Sequence, residues 1–117
     1  MDATRDFCRE HGIVIQAFAA LGHAMEPNLL EEAIVVGIAR RLGRTPAQVA
    51  LAWLISLPGV VAIPGASSVE QLEFNVAAAD LELSTENRDA LTAAARAFRP
   101  VSVGRSLVDM ARERLGR

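Results

Sequence analysis

Two rhythms of apolar and polar residues alternate along this chain, and they predict alternating strands and helices. In GIVIQAFAALG (12–22), Ile13, Val14 and Ile15 are β-branched and lead to Phe18 with little polar interruption. That run predicts a strand over 13–18, covered on both faces as in a parallel sheet. From Asn28 to Leu42 the rhythm changes: Leu30, Ile34, Ile38 and Leu42 recur every four residues, the stripe of one helix. Asn28 and Glu31 stand where a capping box would open that helix, and Gly43 where it would end. Thr45-Pro46-Ala47-Gln48 is a second opening signal, for a helix to about Ser56 that is apolar nearly all round and therefore buried.

Val60 to Ile63 reads as the second strand. Ser68-x-x-Gln71 then opens a helix to about Ala79, and Ser84-x-x-Asn87 one through Phe98. Ala3 to His11 reads as the end of a helix stopped by Gly12, and Leu107 to Leu115 as a final amphipathic piece. Alternating strands and helices predict an α/β fold with parallel strands. Two strands do not complete such a sheet, so residues 1–117 read as one partial domain, with 100–117 as its tail.

Composition narrows the function classes. The chain has 117 residues, 51% hydrophobic and 22% charged, with fourteen acids against twelve bases and a net charge of −2. That balance argues against a nucleic-acid partner or an anionic membrane surface. A helix-turn-helix over Thr45 to Asn75 would contain no Lys or Arg for phosphate contacts, so that reading is rejected. The uncharged run from Pro46 to Val69 is long enough to raise a membrane span, but Pro58-Gly59 and Pro64-Gly65 interrupt it. One cysteine, Cys8, and a start without an apolar core point to a reducing, cytoplasmic setting. Cys8 is expected to be small and buried rather than nucleophilic. His11 and His23 have no ligand-spaced partners, so no metal site is expected, and His23 reads as an exposed loop residue. Arg40, Arg41 and Arg44 suit the end of a helix dipole.

The chemistry gathers at PGVVAIPGASSVEQLEFN (58–75), where a strand, a turn of small residues and a helix start stand back to back. Ligands of α/β proteins sit at the carboxyl ends of strands, and free N–H groups at a helix start suit phosphate. The plainer reading keeps Ser68 as a cap and Pro-Gly as a turn, and local sequence alone favours it. Phe18, likewise, reads locally as core.

Taken together, GIVIQAFAALG, GRTPAQVALAWLISLPGVVAIPGASSVEQLEFN and ADLELSTENRDAL resemble the C-terminal part of the aldo-keto reductase family, over about Phe7 to Leu91. The resemblance implies the C-terminal portion of a (β/α)8 TIM barrel, contributing its seventh and eighth strands. It implies reduction of aldehydes and ketones with NADP(H), or with NAD(H). The family's catalytic Asp, Tyr, Lys and His lie on earlier strands, so no catalytic residue is assigned here; the chain contains no tyrosine.

By the same resemblance Phe18 takes the place of the aromatic that stacks on the nicotinamide. Ala19, Ala20, Leu21 and Gly22 match the turn that meets the pyrophosphate. Ile63, Pro64, Gly65, Ala66 and Ser67 match the stretch around the adenosine ribose and its 2′-phosphate, and Asn75 the residue near the adenine. The chain departs from the family at several of these positions. Ala19 and Ala20 stand where Ser and Pro are frequent, Gly65-Ala66 where Lys-Ser is frequent, Gln71 where Arg is, and Phe74 where Glu is. Losing both cations puts recognition of a 2′-phosphate in question. The expected partners are the nicotinamide cofactor and, through open strand edges, a complementary N-terminal half-barrel or a second copy of the chain. A non-catalytic binding or assembly module on the same fold piece is the alternative.

Overall fold

A computed structural model describes residues 2–18, 20–21 and 28–98 of the chain. Helix α1 (Asp2–Glu10) leads into strand β1 (Ile15–Phe18). A 3-10 turn (Leu29–Glu31) and two helices, α2 (Ala33–Leu42) and α3 (Pro46–Ile55), carry the chain to strand β2 (Val60–Ile63). Helix α4 (Val69–Ala77), a 3-10 turn (Ala78–Asp80) and helix α5 (Thr85–Ala97) complete the order. The strands pair in parallel, Ile15 opposite Val60 and Phe18 opposite Ile63. This is an α/β unit with two parallel strands. The expected helix at 107–115 lies outside the described residues, as does the tail from 99 on.

Helix α1 stops where Gly12 turns left-handed (φ 66°), and the Ile13 N–H donates back to the Cys8 carbonyl (2.8 Å). Those bonds delay the strand. Pairing begins at Ile15, whose N–H donates to the Gly59 carbonyl (2.8 Å), so β1 is two residues shorter than 13–18.

Helix α3 is the centre of the packing. It lies against β2, α2, α4 and both 3-10 turns, and Gln48, Val49, Ala50, Leu51 and Ala52 are buried along it. Its N-terminus carries the expected capping box: Thr45 Oγ1 accepts from the Gln48 N–H, and Gln48 Oε1 accepts from the Thr45 N–H, both at 3.2 Å. Across from it Val35, Ile38 and Ala39 of α2 and Leu91 of α5 close the core, with Ile34, Trp53, Leu81 and Leu83 packed on its rim. Trp53 Nε1 donates to Thr92 Oγ1 (3.1 Å), fixing α3 to α5. Asp2 and Arg96 (3.2 Å) tie α1 to α5.

Several expectations are corrected. The segment 28–42 is not one helix, because Glu32 is extended (ψ 128°) and divides it into a 3-10 turn and α2. Asn28 does cap, accepting from the Leu30 N–H, but Glu31 accepts from the Asn28 side chain, not from its backbone. The buried stripe of α2 is therefore Val35, Ile38 and Ala39, while Leu42 is exposed. Helix α4 tightens into the 3-10 turn after Ala77, short of Ala79. Cys8 is half-buried.

The strands are not covered on both faces. Ile15, Ala17, Val60 and Ala62 are half-buried, whereas Gln16, Phe18, Val61 and Ile63, which alternate with them, are exposed. A pleated strand sends alternate residues to opposite faces. One face therefore has a layer against it in the described chain and the other does not.

Candidate functional site

Parallel register brings the two strand ends together: Phe18 and Ile63 are partners, and each leads into its own turn at the same edge of the sheet. Phe18 is 86% exposed, on the same uncovered face of the sheet as Val61 and Ile63. Its aromatic surface therefore stands free beside the turn that follows β2. Ala20 and Leu21 are half-buried just beyond β1. Ala19 and Gly22, assigned to the same turn, lie outside the described residues, as does His23.

The turn from Pro64 to Ser68 is fastened to α4 by side chains. Gln71 Oε1 accepts from both the Ser67 N–H (2.7 Å) and the Ser67 hydroxyl (2.9 Å). Ser68 Oγ accepts from the Gln71 N–H (3.1 Å), capping α4. Asn75 Nδ2, one turn further on, donates to the Gly65 carbonyl (3.2 Å). The capping box expected at Ser68 is thus half formed: the glutamine reaches past Ser68 to Ser67. With its oxygen engaged, the Gln71 amide keeps its nitrogen as the donor end.

One contributor escaped the sequence reading. Gln48, buried in α3, donates from Nε2 to the Phe74 carbonyl of α4 (3.2 Å). The helix that carries Gln71 and Asn75 is therefore held against the core by the same glutamine that closes the α3 capping box. A buried glutamine beside an N-cap was the only signal in the sequence, and its distant partner had none. Phe74 itself is 46% exposed.

Chemically, this edge offers an aromatic face, backbone N–H groups at a helix start, hydroxyls on Ser67 and Ser68, and amides on Gln71 and Asn75. Such a set suits a ligand with a flat ring and several oxygen acceptors. Pro64, Gly65 and Ala66 add close backbone approach without bulk. Among the described residues, no three His, Cys, Asp or Glu side chains are grouped to hold a metal ion, and no helix is long and apolar enough to cross a membrane. An apolar cleft that includes Ala20, just beyond β1, is lined among others by Leu29, Ala50, Trp53, Leu91 and Phe98. Its lining is almost wholly apolar.

Known proteins match most of the described chain. The profile of the aldo/keto reductase family matches residues 2–96. An uncharacterized oxidoreductase of Mycobacterium tuberculosis is 74% identical over 93 residues, covering 80% of this chain and 28% of that protein. Pyridoxine 4-dehydrogenase of Escherichia coli is 43% identical over 86 residues, covering 73% of this chain and 29% of the enzyme. Among solved structures, an aldo/keto reductase from Klebsiella pneumoniae in complex with NADP and acetate superposes with a TM-score of 0.68 at 35% identity. That match covers 74% of this chain and 31% of the other. An aldo-keto reductase from the same organism in complex with NADPH gives a TM-score of 0.67 at 36% identity, covering 74% and 31%. The chain thus spans less than a third of the length of these relatives.

Proposed function

This chain belongs to the aldo/keto reductase family, an oxidoreductase family, and on that premise we propose that it forms the C-terminal part of a carbonyl reductase barrel. In this reading it carries part of a nicotinamide dinucleotide site and none of the acid-base chemistry. The carrying observation is the pairing of Phe18 with Ile63, which sets an exposed ring beside a turn pinned to a helix start. The cofactor would supply a hydride to an aldehyde or ketone carbon.

The residues of this chain would do the holding. Phe18 offers its face to the nicotinamide ring, a contact worth about 0.5–1.5 kcal/mol beyond area burial. The backbone at Ala19 to Gly22 meets the pyrophosphate, with Leu21 shaping the turn. Ile63 to Ser67 border the adenosine ribose. Gln71 and Asn75 keep that border in one conformation through Ser67 and Gly65. Rigid pre-positioning of this kind lowers the ordering cost of binding. A reducing cytoplasmic setting and a complementary half-barrel are part of the same reading. The exposed face of Gln16, Phe18, Val61 and Ile63 and the two open strand edges are where that half-barrel would join.

Titrating the full chain with NADH and with NADPH, followed by nucleotide fluorescence, tests the proposal. Saturable binding weakened by Phe18→Ala and by Asn75→Ala is expected, with no carbonyl reduction by the chain alone. Reduction that is lost on changing a residue within this chain would refute the division of labour.

A further inference from the structure

We infer that the apolar cleft between α2, α3 and α5 seats the chain's own C-terminal segment, with Leu107 to Leu115 docked as a helix along α5. The pattern of α5 cuts the cleft. Leu91, Ala94 and Ala95 of α5 and Phe98 at its C-cap line it at the spacing of one helical stripe, and the two alanines leave a notch between the larger ends. Ile34 of α2 and Trp53 of α3 complete the lining. The cleft has a volume of about 60 Å³, well below the roughly 300–1,000 Å³ of a small-molecule site, so it suits inserted side chains rather than a cofactor.

The chain leaves α5 at this cleft. Phe98 is extended (φ −64°, ψ 123°), its N–H donates to the Ala94 carbonyl, and Pro100 bars the helix from running on. Residues 99–117 follow. The linker 99–106, which holds Gly104, can span up to about 28 Å, enough to double back along the roughly 10 Å between Leu91 and Phe98. Ser106-x-x-Asp109 then provides a helix start. Leu107, Ala111 and Leu115 recur every four residues with Val108 beside them, an apolar stripe about 12 Å long that matches the cleft.

Charge agrees with shape. Among the described residues Glu32 is the only ionisable one lining the cleft; it is half-buried, and none of their arginines forms an ion pair with it. The segment 99–117 carries five arginines against Asp109 and Glu113. Arg112, three residues from Leu115 and four from Val108, stands at the margin of the stripe, so a docked helix brings a cation that Glu32 can accept. Docking removes aliphatic surface from water, the main favourable term for such a contact. Because a short linker joins seat and segment, little loop entropy opposes closure, and the same segment of a second copy lacks that advantage.

Cleavage by an arginine-specific protease reads the docking. In the full chain, cleavage after Arg112 should run at least about tenfold slower than in the free 99–117 peptide, the scale of burying one leucine side chain. Leu107→Asp in the segment, and Ala94→Leu filling the notch, should each restore most of that rate. Nuclear Overhauser contacts between the indole of Trp53, the chain's single tryptophan, and the methyls of Leu107 or Leu115 should vanish in the same variants. Leu107 is not part of the described core, so Leu107→Asp keeps the test decisive even where Ala94→Leu fails to fold. Cleavage as fast as in the free peptide, or slow cleavage unmoved by Leu107→Asp, overturns the inference. Protection that grows with chain concentration gives the seat to a second copy's segment and overturns it as well.

Discussion

Gln48→Ala should destabilise the chain and loosen the site in one step, although the residue touches no ligand position. Its side chain accepts from the Thr45 N–H and donates to the Phe74 carbonyl, both at 3.2 Å, and only 6% of the residue is exposed. Alanine removes both bonds and leaves a buried gap. Two neutral hydrogen bonds contribute about 1 kcal/mol each, and the lost packing adds up to about 1 kcal/mol more, giving about 2–3 kcal/mol. Urea unfolding followed by circular dichroism reads this directly. With a slope of about 1.5 kcal/mol/M for a chain of this size, the midpoint should fall by about 1.3–2 M. Thr45→Ala removes the Oγ1 acceptor that caps the Gln48 N–H and should cost about 1 kcal/mol. Because the two residues form one network, the double variant should lose less than the sum of the single losses. Nucleotide affinity should fall in Gln48→Ala as well, since α4 loses its tether to α3. A midpoint within about 0.3 M of the unaltered chain would refute the claim that Gln48 holds α4 in place.

Three further outcomes follow from the same packing. Ile38→Ala, at a fully buried position of α2, should cost about 2–5 kcal/mol, seen as a large fall in melting temperature. Gly43→Ala meets no atom within 4 Å but must adopt φ +63°, so a loss of about 1 kcal/mol from backbone strain alone is expected in the same melt. Phe18→Ala should leave the unfolding midpoint nearly unchanged, because the ring is 86% exposed, while lowering nucleotide affinity about threefold to tenfold.

The parts of this fold legible in the sequence are those set by local rules. Thr45-Pro46-Ala47-Gln48 announces a capped helix because cap, proline and glutamine all act within one turn, and α3 forms accordingly. Strand β2 was legible for a similar reason, a β-branched run between glycine and proline. The break at Glu32 was not, since its extended backbone interrupts a stripe that reads as continuous. Exposure of Phe18, Val61 and Ile63 was invisible as well: an apolar run specifies a strand but not which layers cover it. At the candidate site, Ser68 announced the α4 cap, while the shift of Gln71 to Ser67 depends on how the turn bends. The Gln48–Phe74 bond spans 26 residues, and no local pattern encodes such a contact.

The most direct test of the central claim is a map of amide chemical shifts in the full chain as NADH is added. Shifts concentrated at Phe18, at Ile63 to Gln71 and at Asn75, saturating together, are what the account predicts. Saturating shifts centred on the apolar cleft at Ala50, Trp53 and Leu91, with the strand ends silent, would contradict it.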